Sequence, residues 1–371
     1  MNNLNYVTYQ SFPADTANSL QTMANIKYLI RQGHNVSLYF PLREKKNTAD
    51  PKILKEFYSI TEDIKIIGVK HNLPFGKINI LNRVLFLYSH LVWSYSIVKK
   101  LNKEKLNSDF FITRSDWVFL FLSLKNRKVI FECHQYTKIR KFLINRALKR
   151  KYSKIIFLND ILKEDYEKKY TLKDNYTVLH NGVDLEYYSQ ESKKKSGEIV
   201  FVGRLKRFNE SRNINFLLEG LASLGSEHTL KIVGATESEI LDLKEESTKL
   251  GIETQVKIIK RVNYSAVAKE LSSASIGILT NSSTNTHSTS YTSPLKYFEY
   301  LASGLNIVAV DFPSHRNLPY SDNITFFEEN NIESFVNAVK NAGNSDNLNT
   351  EIFPFISLQT RAKKITDFLS S

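Results

Sequence analysis

The sequence predicts an α/β protein made of two doubly wound, Rossmann-like domains. Short apolar strand patterns alternate with helix patterns along the chain, once before and once after a polar stretch at residues 189–198. Such alternation is typical of parallel sheets with right-handed crossover helices. The length of 371 residues also fits two domains of ordinary size better than one.

Strands and helices can be placed in order along both halves. The first half opens with strand Asn5–Tyr9, a helix over Leu20–Gln32 that Gly33 is placed to end, and strand His34–Phe40. The other strands predicted for this half are Ile64–Val69, Phe110–Thr113, Val129–Glu132 and Lys154–Leu158. The strands predicted for the second half are Ile199–Gly203, Leu230–Val233, Val256–Ile259, Ile276–Leu279 and Ile307–Val310.

An aromatic-rich helix pattern runs over Ile78–Val98, interrupted by Arg83 and His90. Its cleanest apolar part is about 15 residues, shorter than the roughly 20 that cross a bilayer. A core or interdomain helix is the first interpretation. A helix whose exposed apolar face touches a membrane is the second.

Residues 292–311 carry the most complete local pattern in the chain. Ser293 can cap a helix, Pro294 stands at its first position, and Gly304 is placed to end it in a left-handed turn. Glu299 lies at the edge of the apolar face. Burying a carboxylate there alone would cost about 3 kcal/mol or more, so we expect Glu299 to be hydrogen-bonded or paired. An ordinary ion pair with Lys296, three residues earlier, is the simplest partner.

Read as a whole, this segment, TSPLKYFEYLASGLNIVAVD, resembles the donor-binding signature of the retaining, nucleotide-sugar-dependent glycosyltransferases of family four, the group 1 glycosyltransferases. The family pattern is Pro-x-Lys-x-x-Glu-Tyr-x-Ala-x-Gly. The resemblance implies that Glu299 holds the nucleotide ribose and that a helix N-terminus faces the donor diphosphate, because such a terminus offers N–H groups and positive potential to an anion. The residues at that terminus are Thr292, Ser293, Pro294 and Leu295.

A second set of residues matches the same family. Gly203-Arg204 ends the first strand of the second half, and Arg212 stands at the family's lysine position, with Asn213 at the following glycine position. The resemblance implies that Gly203, Arg204 and Arg212 bind the donor diphosphate and that the two arginines stabilise its charge during catalysis. The planar fork of arginine suits phosphate oxygens. The alternative for Arg204 is a surface arginine after a strand.

The first half matches the family's site less closely. His134 follows a predicted strand, at the edge where parallel sheets bind ligands, and the resemblance implies contact with the transferred sugar. A structural histidine is the equal alternative. Ala17 and Asn18 stand where the family often has paired glycines near the donor phosphates, and a simple helix cap is the alternative there. Tyr291 replaces the first glutamate of a common Glu-x7-Glu pair, so the usual contact to the sugar is absent.

The resemblance also implies a GT-B fold, in which two Rossmann-like domains face each other across a cleft. The acceptor-binding domain would span residues 1–182, the donor-binding domain 183–354, and 355–371 would form a helix that packs back on the first domain. The sequence Asn181-Gly182-Val183-Asp184 matches the family's connection between domains. There is no Asp-x-Asp pair of the metal-dependent kind, so we expect no metal and no cofactor beyond the donor substrate.

The net charge of +13 is concentrated in the first half. Residues 1–180 carry 31 Lys and Arg against 15 Asp and Glu, whereas residues 181–371 carry 20 against 23. The segment Lys138–Lys154 alone has eight basic residues and no acid. One side of this predicted helix carries Ile139, Phe142, Leu143 and Ala147. A basic amphipathic helix is typical of contact with an anionic membrane, and a solvated helix face is the alternative.

Together these features predict a retaining glycosyltransferase that moves a sugar from a nucleotide diphosphate sugar to a hydroxyl of a saccharide or lipid-linked acceptor, as in surface polysaccharide or glycolipid synthesis. The first residues, MNNLNYVTYQ, lack the features of a signal peptide, so we expect a cytoplasmic protein at the inner face of the cell membrane. Two alternatives belong to other classes: a nucleotide-sugar epimerase on the same fold, and a non-catalytic polyanion-binding protein. No nucleic-acid module is recognisable, so no nucleic acid partner is expected.

Overall fold

The computed structural model describes residues 2–73, 80–104, 109–188, 194–207, 210–284, 286–343 and 350–370. The chain forms two compact units: unit 1 is Met1–Leu179 together with Leu358–Ser371, and unit 2 is His180–Ser357. Compared with the boundaries expected from the sequence, unit 2 begins three residues earlier and ends three residues later.

Unit 1 contains a seven-stranded parallel sheet. Its strands are β1 (Asn3–Val7), β2 (Asn35–Leu42), β3 (Lys65–Lys70), β4 (Phe110–Thr113), β5 (Lys128–Cys133), β6 (Ser153–Phe157) and β7 (Tyr176–Val178). Its helices before unit 2 are α1 (Ala17–Arg31), α2 (Pro51–Tyr58), α3 (Ile80–Lys103), α4 (Asp116–Leu124), α5 (Lys138–Leu148) and α6 (Asp160–Glu167). The strand order β3-β2-β1-β4-β5-β6-β7 reverses direction at β1, as in a doubly wound fold.

Three helices of unit 1 differ in extent from the sequence-based prediction. α1 begins at Ala17 rather than Leu20, because the Thr16 hydroxyl accepts a hydrogen bond from Ser19 N (3.3 Å) and caps the helix there. The aromatic-rich helix continues to Lys103 as α3, and residues 78–79 lie outside the described part of the chain. The basic helix α5 already ends at Leu148. No helix among the described residues is long and apolar enough to span a bilayer.

Unit 2 contains a six-stranded parallel sheet and a short antiparallel hairpin. Its strands are β8 (Glu198–Val202), β9 (Lys206–Arg207), β10 (Glu210–Ser211), β11 (Thr229–Ala235), β12 (Val256–Lys260), β13 (Ile276–Leu279), β14 (Asn306–Val310) and β15 (Ile324–Phe327). Its helices are α7 (Ile214–Ala222), α8 (Glu237–Lys249), α9 (Tyr264–Leu271), α10 (Leu295–Ala302), α11 (Pro313–Arg316), α12 (Ile332–Gly343) and α13 (Phe353–Ile356). The order β12-β11-β8-β13-β14-β15 is again doubly wound, so the predicted fold class is confirmed.

Buried side chains alternate between the two faces of the unit 2 sheet, as the pleat requires. Ile199 and Phe201 of β8 join a cluster with α7 and α12, whereas Val200 and Val202 join a cluster with α9 and α10. In unit 1 the last helix, α14 (Leu358–Ser370), contributes buried apolar residues to the cluster that contains α1. α14 therefore belongs to the core of unit 1, although 178 residues of unit 2 precede it.

A buried ion network joins α14 to the sheet of unit 1. Glu132 on β5 accepts from Arg361 Nη2 on α14 (2.8 Å), from Arg114 Nε after β4 (3.0 Å) and from the Tyr6 hydroxyl on β1 (2.5 Å). Arg361 also donates to Asn25 Oδ1 on α1 (3.0 Å). Burial by itself would raise the pKa of Glu132, but the Arg114 and Arg361 guanidiniums hold it well below its usual range.

Candidate active site

The helix that carries the donor-binding pattern, α10, starts without a side-chain cap among the described residues. Pro294 is its N-cap residue, one position before the predicted place. Ser293 is bonded elsewhere: its hydroxyl accepts from the backbone N–H of Asn181 (3.2 Å), and its carbonyl accepts from the Asn181 side-chain amide (2.6 Å). The prediction that Ser293 caps the helix is therefore wrong. An uncapped helix start keeps its positive potential for an anion.

The far end of α10 is as predicted. Gly304 follows the helix with φ +66°, in the left-handed region that favours glycine, so the predicted stop is confirmed. Tyr300 fixes the helix to the sheet, because its hydroxyl accepts from Val202 N (3.1 Å) and donates to Ile278 O (3.3 Å). A Cβ at Gly277 would lie 2.6 Å from the Tyr300 ring, so this close contact requires glycine. α10 is thus held firmly against β8 and β13.

Glu299 is buried, with only 1% of its surface exposed. Its Oε2 accepts from Lys296 Nζ (2.5 Å), which confirms the predicted i,i+3 pair. Its Oε1 is also buried and makes no hydrogen bond to any residue that the structure describes. A carboxylate oxygen in that position carries a desolvation cost of about 1–3 kcal/mol, which a hydroxyl donor from a ligand would relieve. Glu299 therefore has one oxygen bound by the protein and one that fits a ligand donor.

The loop after β8 brings two backbone segments unusually close. Gly234, with φ +120°, leaves so little room that a Cβ there would lie 2.3 Å from Gly203 O. A Cβ at Gly203 would lie 2.8 Å from Arg212 Nη1, so the structure does bring Gly203 and Arg212 together. Arg204 follows as an exposed residue at the carboxyl edge of the sheet, where open α/β sheets bind ligands.

Arg212 reaches this edge because the chain between the two arginines folds back. Residues 206–207 and 210–211 pair as the antiparallel strands β9 and β10. Arg212 N then donates to Leu205 O (2.9 Å). The next residue, Asn213, has φ +54° at the start of α7. A left-handed residue here explains why the family uses glycine at this position.

Thr292 and Ser293 are both buried, at 5% and 4% exposure, just before α10. They follow a short π-helix, His287–Tyr291, and Ser314 Oγ donates to Ser288 O within it (2.9 Å). Short π segments frequently mark functional sites. Within the described residues, no group of three His, Cys, Asp or Glu side chains is arranged as a metal site.

The predicted site residues of unit 1 lie at the carboxyl edge of its own sheet. Ala17 and Asn18 are exposed and form the first turn of α1, where Arg114 Nη1 donates to Asn18 O (3.3 Å). His134 directly follows β5 and is partly buried. It lies close enough to Glu132 to contribute to the low pKa of that carboxyl.

Several polar residues of these edges were not singled out from the sequence. Arg114 donates a hydrogen bond to the first turn of α1, Asn181 donates to Ser293, and Asn281 accepts from Arg212. The one signal available was a polar residue within two positions after an apolar strand, which Arg114 and Asn281 both satisfy. That signal is weak, because many loops begin with a polar residue.

Comparisons with known proteins bear on the family of unit 2 and on the fold of the chain. Residues 196–344 match the family model "Glycosyl transferases group 1". None of the curated proteins matches the chain by sequence. Three solved structures have the same fold over almost the entire length of both chains. They are Anabaena HepE in complex with UDP (15% identity, TM-score 0.67, 100% of each chain covered), a glycosyltransferase from Rickettsia africae (15%, 0.68, 99% and 97%) and the lipopolysaccharide outer core galactosyltransferase WaaB (17%, 0.65, 100% of each).

The structural matches establish the fold of the whole chain, and the family match lies on the unit that carries Gly203, Arg204, Arg212 and Glu299. Residues 196–344 accordingly match the group 1 glycosyltransferases, and the chain as a whole has the GT-B fold.

Proposed function

We propose that the protein transfers a sugar from a nucleoside diphosphate sugar to an acceptor hydroxyl, with retention at the anomeric carbon. The observation that carries the proposal is Glu299, a buried carboxylate whose Oε1 has no hydrogen-bond donor among the described residues. A ribose hydroxyl is a suitable donor for that oxygen. No comparable need for a donor exists at Glu132, where both oxygens are bonded within the protein.

The departing diphosphate defines the chemical problem, because negative charge develops there as the bond to the sugar breaks. Arg204, Arg212 and the uncapped start of α10 would stabilise that charge by electrostatics that are in place before the reaction. Thr292, Ser293, Pro294 and Leu295 form the approach to this helix start. Gly203 contributes by leaving room for Arg212. The resemblance implies that a departing phosphate oxygen accepts the proton of the attacking hydroxyl.

Unit 1 is proposed to hold the acceptor. His134, Ala17 and Asn18 lie at the carboxyl edge of its sheet, and His134 would contact the transferred sugar. Because a lipopolysaccharide galactosyltransferase shares the fold, a saccharide or lipid-linked acceptor is the class to test first. UDP-sugars are the donors to test first, because HepE was solved with UDP and with UDP-glucose.

Contact with an anionic membrane is proposed for unit 1 through the exposed sides of α3 and α5. The large apolar side chains on these exposed sides are Val84, Leu85, Leu87, Tyr88 and Tyr95 on α3 and Ile139 and Phe142 on α5. α5 is basic as well, so apolar and electrostatic attraction to a bilayer would act together. This contact would place a cytoplasmic enzyme at the inner face of the membrane.

Co-sedimentation with phosphatidylglycerol vesicles tests the membrane contact. Phe142→Glu, which alters a side chain that is 54% exposed, should reduce binding at least about tenfold, because it removes apolar contact and adds a like charge to that of the lipid. Leu241→Glu on α8 of unit 2 is the matched control, at 68% exposure, and should bind as wild type. Equal binding by all three proteins would contradict the membrane assignment.

Turnover of purified protein with a panel of nucleotide sugars and saccharide acceptors tests the reaction. We expect release of a nucleoside diphosphate that depends on the acceptor and falls at least about a hundredfold in Glu299→Ala and in Arg204→Ala. Unchanged turnover in these variants would refute the donor site. Conversion of the nucleotide sugar without any acceptor would instead favour an epimerase.

A further inference from the structure

Arg212 is held through both its backbone and its guanidinium. Its carbonyl accepts from Thr280 Oγ1 (2.9 Å), and its guanidinium lies over the Phe201 ring, 5.7 Å from the centroid. Its Nη2 donates to Asn281 Oδ1 (3.1 Å). Asn281 is 6% exposed and is the second residue after β13. The orientation of the guanidinium thus depends on which way the Asn281 amide points.

The amide is oriented in turn by His315, which is fully buried on α11. His315 Nδ1 lies 2.7 Å from Val310 O, and because a carbonyl can only accept, Nδ1 must carry the proton. Nε2 of the neutral ring is then an acceptor, and it faces Asn281 Nδ2 at 3.3 Å. Asn281 Oδ1 is left to face Arg212. Turning the amide around would break both of its bonds.

The neutral ring is maintained by its surroundings. Burial lowers the pKa of His315 to about 4, and the bond to Val310 O only partly offsets that effect. The charged groups that act on the ring are Arg212, which disfavours a second positive charge, and Asp311, which favours one. At neutral pH the direction of every bond from Val310 through His315 and Asn281 to Arg212 is therefore fixed.

We propose that Asn281 and His315 are positioning residues for the donor diphosphate and that they act through Arg212. The inference rests on the proposed function, since it requires Arg212 to bind the diphosphate. It adds that neither Asn281 nor His315 needs to touch the nucleotide. The pair keeps the guanidinium aligned before the donor arrives, so less conformational freedom is lost on binding.

The main test measures equilibrium binding of UDP, GDP, ADP and CDP, each beside its own nucleoside. For the diphosphate that binds wild type, Asn281→Leu should weaken affinity about tenfold while nucleoside affinity stays unchanged, because one charge-assisted hydrogen bond that orients Arg212 is lost. Asn306→Leu is the matched control: the side-chain amide of Asn306 is also hydrogen-bonded, in its case to the backbone Ala342 O (2.6 Å), at the start of β14. It should leave diphosphate affinity unchanged.

A double-mutant cycle shows whether the effect passes through Arg212. In an Arg212→Met background, Asn281→Leu should cause no further loss of diphosphate affinity. Additive losses in the two substitutions would overturn the inference, as would wild-type affinity in Asn281→Leu. If wild type binds no nucleoside diphosphate at all, the proposed function fails and this inference fails with it.

Asn281→Asp provides a second measurement, because it keeps the shape and the acceptor toward Arg212. The new carboxylate oxygen faces His315 Nε2 and favours a protonated ring. Diphosphate affinity of this variant relative to wild type should therefore rise at least about threefold between pH 8 and pH 5.5. A ratio that does not change with pH would contradict the assignment of His315. Titration of the nucleotide itself affects both proteins equally and therefore cancels in the ratio of their affinities.

Discussion

Two buried glutamates, one in each unit, should respond in opposite ways to the same substitution. Glu299 has one oxygen bonded to Lys296 and one without a hydrogen bond to the described residues. Glu132 has both oxygens bonded, to Arg114, Arg361 and Tyr6. We therefore compare Glu299→Met with Glu132→Met, since methionine has similar length and helix propensity to glutamate.

The contacts of each glutamate set the expected change in the free energy of unfolding. Glu299→Met loses an ion pair with Lys296, whose side chain is 24% exposed, which costs about 0–1 kcal/mol. The substitution also removes the buried Oε1 that has no donor, and the relief of its desolvation cost should raise the free energy of unfolding by about 1–3 kcal/mol. The free energy of unfolding should thus stay level or rise by up to about 3 kcal/mol. Glu132→Met leaves two buried guanidiniums without their carboxylate and should lower the free energy of unfolding by about 3–5 kcal/mol.

Ligand binding should be weakened in Glu299→Met, the variant that keeps its stability. Glu299→Met should weaken nucleoside diphosphate binding at least about tenfold, because the ribose loses a charged acceptor. Denaturant unfolding gives the stability and titration calorimetry gives the affinity. If Glu299→Met were strongly destabilised while a folded fraction still bound nucleotide as wild type, Glu299 would be a structural residue and the ribose assignment would be refuted.

Three further predictions follow from the same contacts. Because the pKa of Glu132 is depressed in the folded state, its carboxylate stabilises the folded protein above the unfolded pKa of about 4.3, and this stabilisation is lost as the pH falls below that value. The difference in unfolding free energy between wild type and Glu132→Gln should therefore shrink in acid. A difference that does not change with pH would contradict this prediction. Tyr300→Phe removes the bonds to Val202 N and Ile278 O and should cost about 1–3 kcal/mol in thermal unfolding, whereas an unchanged melting temperature would show that these bonds contribute little. Gly234→Ala should both destabilise the protein and weaken diphosphate binding, since its Cβ would press on Gly203 O, and normal affinity in this variant would argue against a rigid loop.

The features that could be predicted from the sequence are those decided by neighbouring residues. The strands of both sheets other than β7 and β15, the left-handed stop at Gly304 and the pair of Lys296 with Glu299 all depend on residues within a few positions of one another. The same holds for the donor-binding pattern itself, which lies on one helix and one strand end. Local periodicity and spacing are sufficient for such features.

The features that were missed depend on contacts between distant parts of the chain. Ser293 has a hydroxyl that could cap a helix, but Asn181, 112 positions away, donates hydrogen bonds to both its hydroxyl and its carbonyl. Arg361 reaches Glu132 across 229 positions, and Asn281 connects to Arg212 across 69. No local pattern marks these partners, because only the tertiary fold of each unit brings them together.

A crystal structure of the protein soaked with UDP is the decisive test of the proposed donor site. We expect the ribose hydroxyls to lie about 3 Å from Glu299 Oε1 and the diphosphate oxygens to contact Arg204, Arg212 and the first turn of α10. A nucleotide bound elsewhere in the molecule, with Glu299 Oε1 still lacking a donor, would contradict it.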